Sequence, residues 1–471
     1  MYFNNLDFAI LGIYCFGIIA IASYVSRQGN KQRSPEDYFL AGRSLPWWAI
    51  GASLIAANIS AEQIIGMSGQ GFVVGMAIAT YELTAAIALI VMAKYFLPLF
   101  LKKQIYTMPQ FLEQRFDKRV SLVLAFFWLA VYVFINLTSV LWLGSLAINT
   151  LTGLETFYGL VLLALLSLAY SLWGGLKAVA LTDIIQVVLL IFGGLAVSFI
   201  ALQKIGDGYI GNGLITVFQA VPDKFDMILS EDNPSYSDLP GVWVLLGGLW
   251  IAHFAYWGFN QYITQRALGA KSLPEAQKGV MFAAYLKLLM PLVIVLPGIC
   301  AAVLFPVLEK SDQAYPTMMT LLPNGLLGLT FAALVAAIVS SLASMTNSIS
   351  TIFTMDVYRS FRANSSDATL VSIGRTTSVI ALIIAVFAAT PLLGSLESAF
   401  QYIQNFTGFF TPGILVIFLV ALFWRKATTL SVLGAAFTSL LLSIFIFFYF
   451  PDFPFIHRMA VVFISSGLAC Y

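Results

Sequence analysis

The sequence predicts an all-α polytopic membrane protein of about thirteen transmembrane helices, and three observations carry that expectation. Of the 471 residues, 60% are apolar and 10% charged. Soluble domains run at roughly 45–50% and 25%, so too few ionised groups exist here to cover a surface in water. Apolar runs close to the ~20 residues of a helical crossing follow one another along the chain. The runs are apolar on all sides, unlike the alternating ~10-residue segments of an outer-membrane barrel. A net charge of +2 provides no basic surface for nucleic acid. Cys15, Cys300 and Cys470 lie far apart in apolar runs with no CxxC pair, and read as buried thiols.

Gly, Pro and charge clusters divide the chain into spans near 6–24, 47–68, 74–100, 121–150, 156–173, 179–203, 241–264, 278–308, 324–356, 371–393, 398–424, 427–449 and 455–471. The first ends in Ala20-Ile21-Ala22, which resembles a signal-peptidase site. Asp7 precedes that site and Arg27, Lys31, Arg33 and Arg43 follow it, so an uncleaved span with its N-terminus outside is expected. The next inner loop then holds Lys102, Lys103, Arg115, Lys118 and Arg119, and Lys177 falls between the spans at 156–173 and 179–203. Further inner loops hold Arg266, Lys271 and Lys278, then Arg359, Arg362 and Arg375, then Arg425 and Lys426. Eighteen of the 24 basic residues are inside in this topology. Lys204, Lys224, Lys310 and Arg458 are outside, and Lys94 and Lys287 lie within spans, a bias that selects this orientation. The longest outer loop, 204–240, is acidic (Asp207, Asp223, Asp226, Glu231, Asp232, Asp238) and is expected to carry a short surface helix. No Pro/Ser-rich linker marks a second domain.

An ionisable side chain at mid-membrane depth costs several kcal/mol unless it is paired or faces water, which makes each one a functional candidate. Span 47–68 holds Asn58, Ser60, Glu62 and Gln63; span 74–100 holds Glu82; span 179–203 holds Asp183 near its inner end. Later spans add His253, Asn260, Gln261, Lys287, Ser340, Ser341, Ser344, Asn347, Gln401, Gln404 and Asn405. The small and polar run around Asn58-Ile59-Ser60 reads either as a discontinuous helix whose freed carbonyls coordinate a cation or as a packing seam. Ser340 and Ser341 point about 100° apart on a helix, so they can grip an ion beside a broken partner, or simply pack closely. Glu82 and Lys287 read as an ion pair, or as half of a polyol site. Sugar hydroxyls both donate and accept, and Gln63, Glu82, Lys287 and Gln404 supply that mixture. Tyr81, Tyr256, Trp257 and Phe400 would stack on a sugar or gate it. His253, with no ionisable group one turn away on its helix, fits a neutral hydrogen-bonding role better than a proton relay.

Five blocks resemble the sodium/solute symporter family, in particular its bacterial sodium/galactose and sodium/glucose cotransporters. They are EDYFLAGRSLPWWAIGASLIAANISAEQ (36–63), YGLVLLALLSLAYSLWGGLKAVALTDIIQVV (158–188), YWGFNQYITQRALGAKSLPEAQKG (256–279), AALVAAIVSSLASMTNS (332–348) and AFQYIQNFTGFFTPGIL (399–415). The resemblance implies a LeuT-like core of five plus five helices in inverted repeat. The first repeat would be 47–203 and the second 241–424, with 1–46 an initial helix and inner loop, 204–240 the acidic outer loop, and 425–471 accessory helices. The opening helices, broken around Asn58 and around Trp257 to Phe259, would flank the sites. A sodium site would use carbonyls of Ala56, Ile59 and Ala337 and hydroxyls of Ser340 and Ser341, with Asp183 on the ion's inner path. The sugar would meet Gln63, Glu82, Lys287 and Gln404, with Asn58 supporting the break. Met67, Tyr81 and Phe400 would gate the outside, and Tyr256, beside Trp257, the inside. Ala85 and His253 stand where the galactose transporters offer serine and asparagine, which bears on the choice of sugar. The family's usual last helix has no counterpart in the sequence.

The function implied is sodium-driven symport of galactose or glucose across a bacterial inner membrane, with Na⁺ as coupling ion, no organic cofactor, and sugar, sodium and lipid as partners. Rivals are sodium symport of inositol, a sialic acid or an amino acid, and a proton-coupled sugar carrier that titrates Glu82, Asp183 or His253. An intramembrane enzyme lacks its HExxH, GxSxG or paired aspartates, and a channel its charged rings or filter loops.

Overall fold

The computed structural model describes residues 3–27, 40–396 and 398–470. Lys31 and Arg33 lie outside the described residues, as do the side chains of Arg27, Lys177 and Gln401. Among the described residues the chain is helical, with no strand and one isolated bridge between Leu45 and Ala270. Six helices are each long and apolar enough to cross a membrane, or eight when two bent pairs are included.

The first helix, Asn5–Arg27, packs beside Leu326–Ile352, and Asp7 accepts the amides of Gly325 (2.7 Å) and Gly328 (2.9 Å) at that helix's start. Helices Trp47–Asn58 and Glu62–Val73 form one span bent by 57°. The spans expected at 156–173 and 179–203 share one helical run, Thr156–Ile205. At ~1.5 Å per residue those 50 residues suffice for two crossings of a ~30 Å hydrocarbon core. The acidic segment 204–240 does carry a surface helix, Ile210–Ala220. Leu326–Ile352, rich in Ala and Ser, is buried along almost its whole length and forms the centre around which the others pack.

Three further spans are interrupted, the first of them expected to be and the other two expected as single helices. The segment 241–264 breaks at Asn260, whose ψ of 126° leaves the helical region between Gly248–Phe259 and Gln261–Leu268, one residue beyond the expected break. The segment 278–308 bends by 40° between Leu273–Lys287 and Pro291–Leu304, because Pro291 lacks the N–H that would close on residue 287. The segment 398–424 divides into Ala399–Thr407 and Thr411–Phe423. Among the described residues five π-turns, two in the bent spans at Glu62–Gly66 and Pro291–Val295 and three elsewhere at Met92–Phe96, Tyr132–Leu137 and Phe353–Tyr358, widen the helices locally.

Candidate functional site

The break after Asn58 follows from its hydrogen bonds. In a continuous helix the amide of Ser60 would close on Ala56 O and that of Gln63 on Ile59 O. Ser60 N instead reaches Asn58 O (2.8 Å) and Gln63 N reaches Ser60 O (3.1 Å). The carbonyls of Ala56 and Ile59 are thereby released from the ladder. Ser341, from the central helix, points its hydroxyl at this gap, 3.3 Å from both Ala56 O and Ala57 O. Ala337 lies one turn before Ser341 on the same buried helix.

Ser340 turns elsewhere. Its hydroxyl donates to Asp183 Oδ1, and Ser53 donates to Asp183 Oδ2. Arg266 completes this buried cluster, its guanidinium 3.7 Å from Asp183 and donating to Ser53 O (2.8 Å), Tyr262 O (2.6 Å) and Ser344 Oγ. This corrects one expectation, since Arg266 is an interior cation and not a loop charge; the hydroxyls of Ser340 and Ser341 meet different partners in this structure. The guanidinium is tolerated at depth because a carboxylate and several oxygens from other helices surround it.

A cavity of about 1100 Å³, open solvent included, is lined by the bulk of the expected sugar and gate residues: Asn58, Gln63, Met67, Tyr81, Glu82, His253, Tyr256, Trp257, Lys287, Phe400 and Gln404. Lys287 Nζ lies 2.7 Å from Glu82 Oε2 and 5.3 Å from the Trp257 ring centroid. Gln63 Nε2 donates to Glu82 Oε1 and reaches Met67 Sδ at 3.2 Å. Glu82 and Lys287 are therefore both partners and cavity wall, which joins the two alternatives the sequence left open. His253 Nε2 meets Thr84 Oγ1 at 2.8 Å. Tyr81 sets its ring edge-on to Phe400 (6.1 Å) and His253 (6.0 Å), while Asn58 Nδ2 donates to Tyr256 OH (3.1 Å). Tyr132, which nothing in its apolar span singles out, seals the second break: its hydroxyl donates to Asn260 Oδ1 (2.6 Å) and accepts from Gln261 N (2.9 Å).

The helix Ala399–Thr407, bearing Phe400 and Gln404, is held from outside the spans. Lys310 Nζ donates to Gly394 O (2.9 Å) and Leu396 O (3.0 Å), just past the C-terminus of Asp367–Leu393, and Asp312 Oδ2 accepts the Ala399 amide (2.7 Å). Each charge matches the helix end that it caps. Ser311 packs so closely on Gly69 that an added Cβ there would lie 2.8 Å from Ser311 O. Burial pushes the Asp312 carboxyl up to about 7, against the downward pull of the Ala399 amide and Lys310. Arg458, expected in an outer loop, is buried and donates to Asn405 O (3.0 Å) on the same helix.

A family model described as the sodium:solute symporter family matches residues 38–441. The sodium/glucose cotransporter of Vibrio parahaemolyticus is 50% identical over 475 residues, which cover 96% of this chain and 87% of that protein. Sodium/myo-inositol cotransporter 2 of Mus musculus is 33% identical, over 93% of this chain and 69% of that protein. Among solved structures, a substrate-bound, outward-open Na⁺-coupled sialic acid symporter matches with a TM-score of 0.85 at 22% identity, covering 99% of this chain and 97% of that one. Mhp1, a nucleobase-cation-symport-1 family transporter in a closed conformation, matches at 0.55 with 15% identity, over 93% and 94%. These two likenesses concern the fold.

Proposed function

The chain belongs to the sodium:solute symporter family, and from that premise we propose that it couples inward movement of Na⁺ to uptake of a monosaccharide, galactose or glucose, by alternating access. The observation that carries this reading is the cavity wall in which Gln63, Glu82, Lys287 and Gln404 mix donors and acceptors, with Gln63 one helical turn along the chain from the released carbonyl of Ile59. Na⁺ bound by those carbonyls, Ala337 O and the hydroxyls of Ser340 and Ser341 would hold the broken helix in place and complete the sugar pocket. The Ser340 hydroxyl would leave Asp183 to do so, which makes Asp183 the first polar group on the ion's way inward. Two inverted repeats of five helices, 47–203 and 241–424, would rock about the site, Tyr81 and Phe400 closing outside and Tyr256 opening inside. The N-terminus would lie outside the inner membrane.

One charge falling through 100 mV contributes about 2.3 kcal/mol, and a tenfold Na⁺ gradient about 1.4 more. One-to-one coupling would thus support roughly 500-fold sugar accumulation. The decisive experiment is uptake of labelled galactose and glucose into proteoliposomes with and without a Na⁺ gradient. Uptake that ignores Na⁺ and follows a pH gradient overturns the ion. Na⁺-driven uptake of non-sugar solutes alone overturns the pocket. A second reading, myo-inositol, is favoured by the mouse relative and by Ala85 and His253, since a changed pair of cavity residues suits a changed hydroxyl pattern. Competition by myo-inositol against labelled galactose separates the two.

A further inference from the structure

One helix of the acidic segment 204–240 presents more apolar surface than the protein covers. In Ile210–Ala220 successive residues turn by about 100° around the axis, so Gly213 and Val217 share one stripe, and both are buried. Turning one way from that stripe come Ile210, Leu214, Phe218 and Ile215, which are 36%, 43%, 56% and 58% exposed. Turning the other way come Thr216, Asn212 and Gln219, and the helix carries no charged residue. It therefore has three faces, one against the protein, one apolar and bare, and one polar.

The position of the helix decides what meets the bare face. The span before it, Thr182–Ile205, has 24 residues, which at ~1.5 Å each slightly exceed a ~30 Å hydrocarbon core and bring its last turn to the boundary with the headgroups. Val188, Phe192, Leu195 and Phe199 form a stripe along that span, each 41% exposed or more, where lipid surrounds it. Leu202, the next position of the stripe, is only 5% exposed. Gly213 lies against its backbone there, so closely that an added Cβ would be 2.1 Å from Leu202 O. The helix thus covers the end of a lipid-facing stripe, on the outside of the bundle and level with the last turn of the span.

Beyond the helix the chain returns to the sugar cavity. Lys224 Nζ donates to Val73 O (3.0 Å) at the end of the first bent span, and Gly75, with φ of 90°, leaves room for the Lys224 backbone. Asp238 and Leu239 border a small cavity together with Tyr81, Phe400 and Gln404.

We propose that Ile210–Ala220 is an interfacial helix docked on the lipid surface, with Ile210, Leu214, Ile215 and Phe218 in the boundary between headgroups and acyl chains and Asn212, Thr216 and Gln219 toward water. It anchors the segment 221–240, which covers the cavity beside Tyr81 and Phe400. An apolar face opposite a polar one suits a helix lying in the interface plane. Tyr209, 71% exposed at its start, is a residue type enriched at that level. With 11 residues the helix is too short to span the core, which takes about 20.

The test is nitroxide accessibility in proteoliposomes on the single variants Leu214→Cys, Ile215→Cys, Asn212→Cys and Thr216→Cys. The unsubstituted protein is the labelling blank, since Cys300 and Cys470 are buried and Cys15 half-buried. Labels at 214 and 215 should favour oxygen over a water-soluble nickel complex several-fold more than labels at 212 and 216, at a depth of about 5–10 Å below the phosphates. Four equal ratios overturn the proposal. Labels at 214 and 215 shielded from both reagents, with dipolar broadening between copies, also overturn it, because a second copy then covers the face. The anchoring is read separately, in lipid nanodiscs, as tryptic cleavage after Lys224. Leu214→Asp combined with Ile215→Asp should be cut there several-fold faster than wild type, and equal rates overturn the anchoring. Neither readout uses sugar or Na⁺, so failure of the proposed substrate leaves both results standing.

Discussion

Lys287 and Glu82 have 1% and 2% of their side chains exposed and hold each other in place. Lys287→Met would strand the carboxylate, at a cost of about 3–5 kcal/mol that should appear as a large fall in melting temperature. Adding Glu82→Met should recover much of that stability but no sugar uptake, because the hydrogen-bonding wall is then gone. Gln63→Ala should lower sugar affinity, with little change in Na⁺ affinity, by the 0.5–1.5 kcal/mol of about one neutral hydrogen bond. Ser341→Ala should do the reverse, lowering Na⁺ affinity first. Equal, sugar-specific losses from both would contradict the division of the two sites. Polar residues in an apolar sequence advertise themselves, which is why these four were legible before any coordinates. Tyr132 was not, since a phenol in an apolar span reads as packing until its partners at Asn260 and Gln261 are known.

Breaks in helices were legible only where composition changes with them. The Asn58-Ile59-Ser60 interruption carries small and polar residues beside a Glu-Gln pair, whereas the interruption between Thr407 and Thr411 has only Gly408 between threonines and phenylalanines, inside a stretch read as one apolar span. The π-turns add one residue per turn with no compositional mark. Arg266 was misplaced for a related reason: its partners Ser53 and Asp183 lie 213 and 83 residues away in sequence, so a cation near the end of an apolar run looked like a loop. Tyr132→Phe tests how firmly the second break is held. It leaves Asn260 Oδ1 and the Gln261 amide without their partner, and should cost about 1–3 kcal/mol in thermal unfolding. Asp312 offers a pH test of the gate-helix attachment. Its folded carboxyl is raised from 3.8 to about 7, so the native state binds the proton more tightly than the unfolded chain. The stability linked to that proton is full below the unfolded value and is lost as pH rises to about 7. Asp312→Asn keeps an acceptor for Ala399 and cannot ionise; it should melt higher than wild type at about pH 8 and similarly at about pH 4.

At the scale of the whole molecule, the apolar composition made the membrane architecture legible, and the quoted blocks made the family legible. How the helices assemble around Leu326–Ile352 was not, because that depends on contacts between segments hundreds of residues apart. One such contact reaches beyond the cavity. The segment leading to Lys310 and Asp312 is exposed, with Val307 89% exposed, yet its next residues grip the end of Asp367–Leu393 and the start of Ala399–Thr407. It is a handle on a buried door. An antibody fragment that binds 305–309 and immobilises that segment would slow transport while leaving sugar affinity unchanged, inhibition that no excess of sugar relieves.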